Sequence, residues 1–186
     1  MDQDRNRVCP VELADSLDSG IRRWLQNPTK ILAPYVREGM TVLDLGCGPG
    51  FFSIEMAKMV GPNGRVIAAD LQEGMLAKLQ GKIKGTELEE RILPVRCDRD
   101  AINVRHCADF LLAFYMVHEV PDKESLFRQL AEVLNMNGRM LLVEPKFFHV
   151  SRGAFAATTA VAGRCGFNVG PGPRLPFSWS ALLTHH

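Results

Sequence analysis

Val42-Leu43-Asp44-Leu45-Gly46-Cys47-Gly48-Pro49-Gly50 is the stretch that decides the fold. Met40 to Leu45 is a short apolar run with one carboxylate, the pattern of a strand buried in a parallel sheet. Three glycines follow at alternate positions, and a helical apolar pattern starts directly after them at Phe51 and Phe52. Glycine lacks a Cβ, so the backbone can turn sharply and a ligand can lie against it. The turn delivers that ligand to the amino end of a helix, where N–H groups have no intrahelical partner. The spacing Gly-x-Gly-x-Gly, followed by bulky Phe51, departs from the Gly-x-Gly-x-x-Gly of dinucleotide sites. Asp44, two residues before the first glycine, would repel a pyrophosphate and suits a ligand with positive charge, such as an ammonium or a sulfonium.

This motif resembles the first motif of the class I S-adenosylmethionine-dependent methyltransferases. The resemblance spans about residues 40 to 184. It implies S-adenosylmethionine as cofactor and a doubly wound α/β fold, a mostly parallel seven-stranded sheet with an antiparallel last strand. The alternation of strand and helix patterns points to the same class. The resemblance further implies that Gly46, Cys47, Gly48 and Gly50 bring the backbone up to the cofactor and that Asp44 meets its methionyl end. Asp70, twenty residues beyond Gly50, would accept from the ribose hydroxyls, with Leu71 and Met75 beside it. An acid at a strand end is also a natural cap for the next helix. Asp98, preceded by Cys97, aligns with the carboxylate that accepts from the adenine amino group, and Asp100 competes for that role. Phe114, at the end of the fourth strand, completes the cofactor set.

Outward from the turn, helices and strands alternate. Phe52, Met56, Met59 and Val60 form one helical stripe, ended by Gly61-Pro62-Asn63-Gly64. Arg65 to Asp70 is a second strand, and Met75, Leu76, Leu79 and Ile83 line a second helix. Arg91 to Val95 reads as an edge strand, since Pro94 removes a ladder donor. Ala108 to Phe114 is a central strand buried on both faces. Lys123 to Leu134 is an amphipathic helix, Asn135-Met136-Asn137-Gly138 a turn, and Met140 to Glu144 a fifth strand. A helix from Ser151 to Arg164 precedes a closing antiparallel hairpin, Phe167 to Val169 with Ser178 to Leu183. Upstream, residues 19–26 predict a short helix and Thr29 to Val36 another, started by Pro28. Residues 1–39 are then a helical cover segment and residues 40–186 one cofactor-binding unit. Trp24 and Tyr35 either pack the cover onto the core or shape the substrate entrance.

A net charge of +1 over 186 residues offers no electrostatic reason to expect nucleic acid or an anionic membrane as partner. No apolar segment reaches the roughly 18 to 20 residues of a membrane span, and the mixed-charge amino terminus is unlike a signal peptide. The five cysteines, Cys9, Cys47, Cys97, Cys107 and Cys165, form no CxxC pair and no zinc spacing, which reads as reduced thiols in a cytoplasmic protein. The short cover and the lack of an appended docking domain favour a small-molecule methyl acceptor, with the protein a monomer or homodimer.

Methyl transfer from a sulfonium is a direct displacement that needs alignment and exclusion of water, not a triad or a metal. His118, four residues past the fourth strand, is the catalytic candidate: a general base with a reference pKa of about 6.5, or a ring that orders its loop. Its apolar neighbours Met116, Val117 and Val120 predict a partly buried ring with a lowered pKa. Tyr115, His118 and Phe147, with His149 beyond them, are candidates for the substrate wall. A metal set of His118, Glu119, Glu144 and His149 lacks any supporting spacing. Cys47 and Cys97 read as small buried residues rather than as arsenic or thiol chemistry. The alternatives to an enzyme of methyl transfer are a non-catalytic cofactor-binding module and a nucleotide-dependent oxidoreductase.

Overall fold

The computed structural model describes residues 26–146 and 150–186. The helix expected over 19–26, apart from Gln26, and the side chains of Trp24, Phe147 and His149 lie outside these residues. The strands are β1 (Thr41–Leu45), β2 (Arg65–Asp70), β3 (Ile92–Arg96), β4 (Ala108–Phe114), β5 (Leu134–Pro145), β6 (Phe167–Pro171) and β7 (Ser178–His185). They form one seven-stranded sheet in the order β3-β2-β1-β4-β5-β7-β6, with β7 antiparallel to both its neighbours. This is the doubly wound, mostly parallel sheet with an antiparallel last strand that the sequence predicts. Pro94 sits in the edge strand β3, where its missing N–H breaks no central ladder.

Alternation along each strand separates two apolar layers. Leu43, Leu45, Leu111 and Ala113 face the layer of α4 (Lys123–Val133) and α5 (Arg152–Arg164). Val42, Phe110 and Leu112 face the opposite layer, with α1 (Pro28–Leu32), α2 (Ser53–Val60) and α3 (Glu73–Ile83). Phe127 of α4 is fully buried, and its loss to alanine would cost about 3–5 kcal/mol. Tyr35 stacks on Phe110 at 5.4 Å between ring centres, so it packs the upstream segment onto the core.

Three local expectations are corrected. The first helix stops at Leu32 rather than Val36: Ala33 keeps helical angles, but Pro34 has no N–H to donate to the Lys30 carbonyl and continue the ladder. Asn27 caps its start by accepting from the Lys30 amide at 3.1 Å. Residues 135–138 are not a free turn but part of β5. There β5 advances five residues while β4 advances two. Asp109 holds this irregularity, accepting from the Thr41 amide at 2.9 Å and the Asn135 side-chain amide at 2.7 Å. The last strand runs on to His185, whose ring stacks on Phe167 and hydrogen-bonds the Leu134 carbonyl at 2.8 Å.

The parallel register aligns Leu45 with Ala69 on one side and Ala113 on the other. The chain leaves β1 towards β2 and β3, then returns to β4 on the far side of β1. The connections after β1, β2 and β4 thus diverge at one sheet end, where open α/β sheets form a crevice.

Candidate functional site

A crevice of about 660 Å³ opens at this end, within the usual size of a small-molecule site. It brings together Asp44, Gly46, Cys47, Gly48, Asp70, Leu71, Met75, Cys97, Asp98, Phe114 and Tyr115, all expected from the sequence. Gly50 does not line it.

The three glycines do different work. All have positive φ: 71° at Gly46, 54° at Gly48 and 90° at Gly50. A Cβ on Gly46 would lie 2.9 Å from Met116 Cβ, and one on Gly50 would lie 2.4 Å from Leu79 Cδ1. These two glycines admit neighbouring side chains. At Gly48 a Cβ would meet nothing within 4 Å, so here the open backbone faces the crevice itself. The Gly46 and Cys47 amides both donate to the Ala69 carbonyl, which ties the turn to the end of β2.

The carboxylates are held by short local bonds. Asp44 is buried, and its Oδ2 accepts from Ser53 Oγ at the first residue of α2. Asp70 accepts the Gly48 amide on Oδ2 and the Gln72 amide on Oδ1, each at 2.8 Å. Burial lifts its pKa above the ordinary value, against the pull of the Gln72, Gly48 and Leu71 amides. Asp70 therefore ties the glycine turn to the residue before α3 and lines the crevice, but it is not the helix cap, since α3 starts after Gln72 with no side-chain cap bond. Asp98 Oδ2 accepts from Asn103 Nδ2 at 2.9 Å. Asp100 also lines the crevice, and its carbonyl accepts from Gln129. Burial, reinforced by Asp44 and Asp70, pushes the Cys47 thiol well above its ordinary pKa. Burial with Asp70 and Asp98 pushes Cys97 up to about 12. Both are neutral thiols packed in the wall, not nucleophiles.

Beyond Phe114 the wall continues through Tyr115, Met116, Glu119, Val120, Pro176 and Phe177. His118 is not among the lining residues, although its neighbour Glu119 is. Its ring turns to Glu144, with Nδ1 2.5 Å from Oε2. Glu144, 1% exposed at the end of β5, also accepts the Val117 and His118 amides on Oε1, at 2.9 and 3.3 Å. The expected lowering of the His118 pKa is corrected. Burial does push it down, but the hydrogen bond and charge of Glu144, with Glu119 adding, outweigh that, and the net shift is upward. His118 and Glu144 of the weighed metal set do meet, yet among the described residues no group of three or more ligand-type side chains could hold a metal ion.

Several wall residues escaped the sequence reading. Met116, Gln129, Pro176 and Phe177 carried no motif of their own, nor did Ser53, which lies buried behind the wall against Asp44. For Ser53 a signal existed: a hydroxyl at the first turn after a glycine loop, aimed back at the strand carboxylate.

A family model described as a methyltransferase domain matches residues 36–164, and the chain belongs to the S-adenosylmethionine-dependent methyltransferase family. S-adenosylmethionine is the cofactor of that class, which sets aside the oxidoreductase alternative. The ubiquinone/menaquinone biosynthesis C-methyltransferase of Enterobacter sp. (strain 638) is 31% identical over 131 residues, 70% of this chain and 52% of that one. The chain thus spans about half the length of the curated relatives of this kind. In fold it is similar to a methyltransferase dependent on the same cofactor from Aquifex aeolicus, with a TM-score of 0.83 at 22% identity, covering 95% of this chain and 98% of that one. Aeropyrum pernix fibrillarin, solved with natively bound S-adenosylmethionine, gives a TM-score of 0.62 at 19% identity, covering 79% and 66%. Among the described residues no helix is long and apolar enough to cross a membrane.

Proposed function

We propose that the chain transfers a methyl group from S-adenosylmethionine to a small, apolar acceptor held at the Tyr115–Phe177 end of the crevice. One observation carries this reading: a single crevice joins the Asp44, Gly48, Asp70 and Asp98 end to the Tyr115, Met116 and Phe177 end. When bound, S-adenosylmethionine supplies an electrophilic methyl group on its sulfonium. The chain binds, orients and excludes water. The glycine turn lets the backbone approach, and the buried Asp44 carboxylate answers the methionyl ammonium. The Asp70 oxygens accept the Gly48 and Gln72 amides and retain acceptor capacity, which suits the ribose hydroxyls. Asp98, steadied by Asn103, has acceptor capacity left for the adenine amino group. Cys47, Leu71, Met75, Cys97 and Phe114 supply the walls around the base and sugar.

His118 orders the Tyr115–Val120 loop in this reading, because its ring is fastened to Glu144 and its raised pKa makes it a poorer base near neutrality. The carbon-methylating relatives support a carbon atom as the methylated position. A cytoplasmic setting fits the free thiols of Cys47, Cys97, Cys107 and Cys165. Calorimetry should detect binding of S-adenosylmethionine or its demethylated product, and Asp70→Ala should weaken it by roughly tenfold or more. Tight NADH binding with no response to S-adenosylmethionine would overturn the proposal, as would efficient methylation of tRNA with no small acceptor turned over.

A further inference from the structure

Among the described residues three non-glycine residues have positive φ: Asn103 at 56°, Tyr115 at 61° and Phe177 at 54°. All three belong to the crevice. Tyr115 and Phe177 line it, and Asn103 donates to Asp98, which lines it too. Asparagine tolerates this conformation, but bulky side chains disfavour it. Phe177 is the sharper anomaly. It is the third residue of the turn Leu175-Pro176-Phe177-Ser178, closed by the Ser178 amide on the Leu175 carbonyl at 3.4 Å. Proline second with positive φ third is the turn pattern that normally takes glycine at the third position. Phenylalanine stands there instead, 59% exposed and facing the crevice, so burial in the core does not explain it.

The surroundings hold this conformation in place from both sides. The Lys146 amide donates to the Phe177 carbonyl at 2.9 Å. On the other side runs a chain of donors: Gln26 Nε2 to Tyr115 Oη at 2.8 Å, Tyr115 to Ser178 Oγ at 2.6 Å, and Ser178 to the Pro176 carbonyl at 3.0 Å. Disfavoured backbone persists where its neighbours over-determine it, and such sites cluster where a ligand is gripped. An aromatic ring set out over a crevice offers a planar ligand a flat face, and stacking adds to simple burial.

We propose that Phe177 is the specificity-determining residue for the acceptor: its ring, clamped through Ser178 and Tyr115, selects planar aromatic acceptors over puckered ones. This rests on the methyltransferase reading above. The test titrates 2-naphthol and its saturated counterpart, decahydro-2-naphthol, into the chain saturated with S-adenosylhomocysteine. The native chain should bind the planar ring up to about tenfold more tightly. Phe177→Gly should abolish the preference, with cofactor affinity kept within about twofold and Tm not lowered, since glycine accepts the positive φ freely. Phe177→Tyr should retain the preference. Equal binding of the two rings by the native chain, or a preference that survives Phe177→Gly, would overturn the assignment. Failure of the methyltransferase reading shows separately, as failure of S-adenosylhomocysteine to bind.

Discussion

The two ends of the crevice reach the same backbone conformation by opposite means. At the turn after β1, positive φ falls on Gly46, Gly48 and Gly50, which take it freely. At the far end it falls on Tyr115 and Phe177, at roughly 1–3 kcal/mol each. At the first end Gly48 leaves backbone bare to the crevice while Gly46 and Gly50 make room for Met116 and Leu79, and the second end spends stability to present side chains. In the proposed reading one end holds the constant cofactor and the other chooses among acceptors.

The largest effect should come from breaking the glycine end. Gly50→Ala would force a Cβ to 2.4 Å from Leu79 and strain the backbone, costing about 2–4 kcal/mol and several degrees of Tm by scanning calorimetry. Gly48→Ala meets no neighbour, so its stability cost should be only the backbone strain of about 1–2 kcal/mol. Cofactor affinity should nonetheless fall by roughly tenfold or more, because the added methyl group occupies the cradle. Equal loss of stability in the two variants would erase the distinction between the packing and the ligand-facing glycine.

A middle effect lies at the His118–Glu144 pair between the two ends. His118→Asn should keep turnover within about threefold, whereas loss of a general base would cut it by about 10²-fold or more. The stability readout has a definite sign. His118 has a folded pKa above its unfolded one, so its contribution is fully present below the unfolded value of about 6.5 and fades as pH rises through the folded value. Urea titrations of native and His118→Asn chains should differ most at acid pH and converge at alkaline pH. A gap that widens with rising pH would contradict the Glu144 contact as the source of the shift. The smallest effect is expected for Tyr115→Phe, which removes the bonds to Gln26 and Ser178 and should cost about 1 kcal/mol. Acceptor KM should rise more than kcat falls, since the loss acts through Phe177.

This contrast also explains which parts were legible in the sequence. Glycines at alternate positions after an apolar run announce themselves, and with them came the crevice floor from Asp44 to Asp98. The alternation of apolar patterns sufficed for the strands and helices, and the family resemblance supplied the antiparallel last strand. The misread turn at 135–138 had proper turn residues, but Asp109, 26 positions from Asn135, bonds it into β5. His118 and Glu144 are likewise 26 positions apart and meet only because β4 and β5 are neighbours. The isolated carboxylate after Met140 to Val143 was the visible trace of that contact. Phe177 had no trace at all, since it sits in a proline- and glycine-rich loop where its turn position is set by Lys146 and Ser178.

The order β5-β7-β6 has a consequence for the birth of the molecule. β7 follows β6 in the chain yet lies between β6 and β5, so neither strand can join the sheet until residues 178–185 have left the ribosome. Until then β5 presents an open edge, apolar from Met140 to Val143, to whatever other chain is near. Synthesis itself thus creates an interval in which the nascent protein is sticky, and a ribosome stalled before Ser178 would hold a template for aggregation. Added holdase chaperones should raise the yield of this chain by shielding the open edge during that interval.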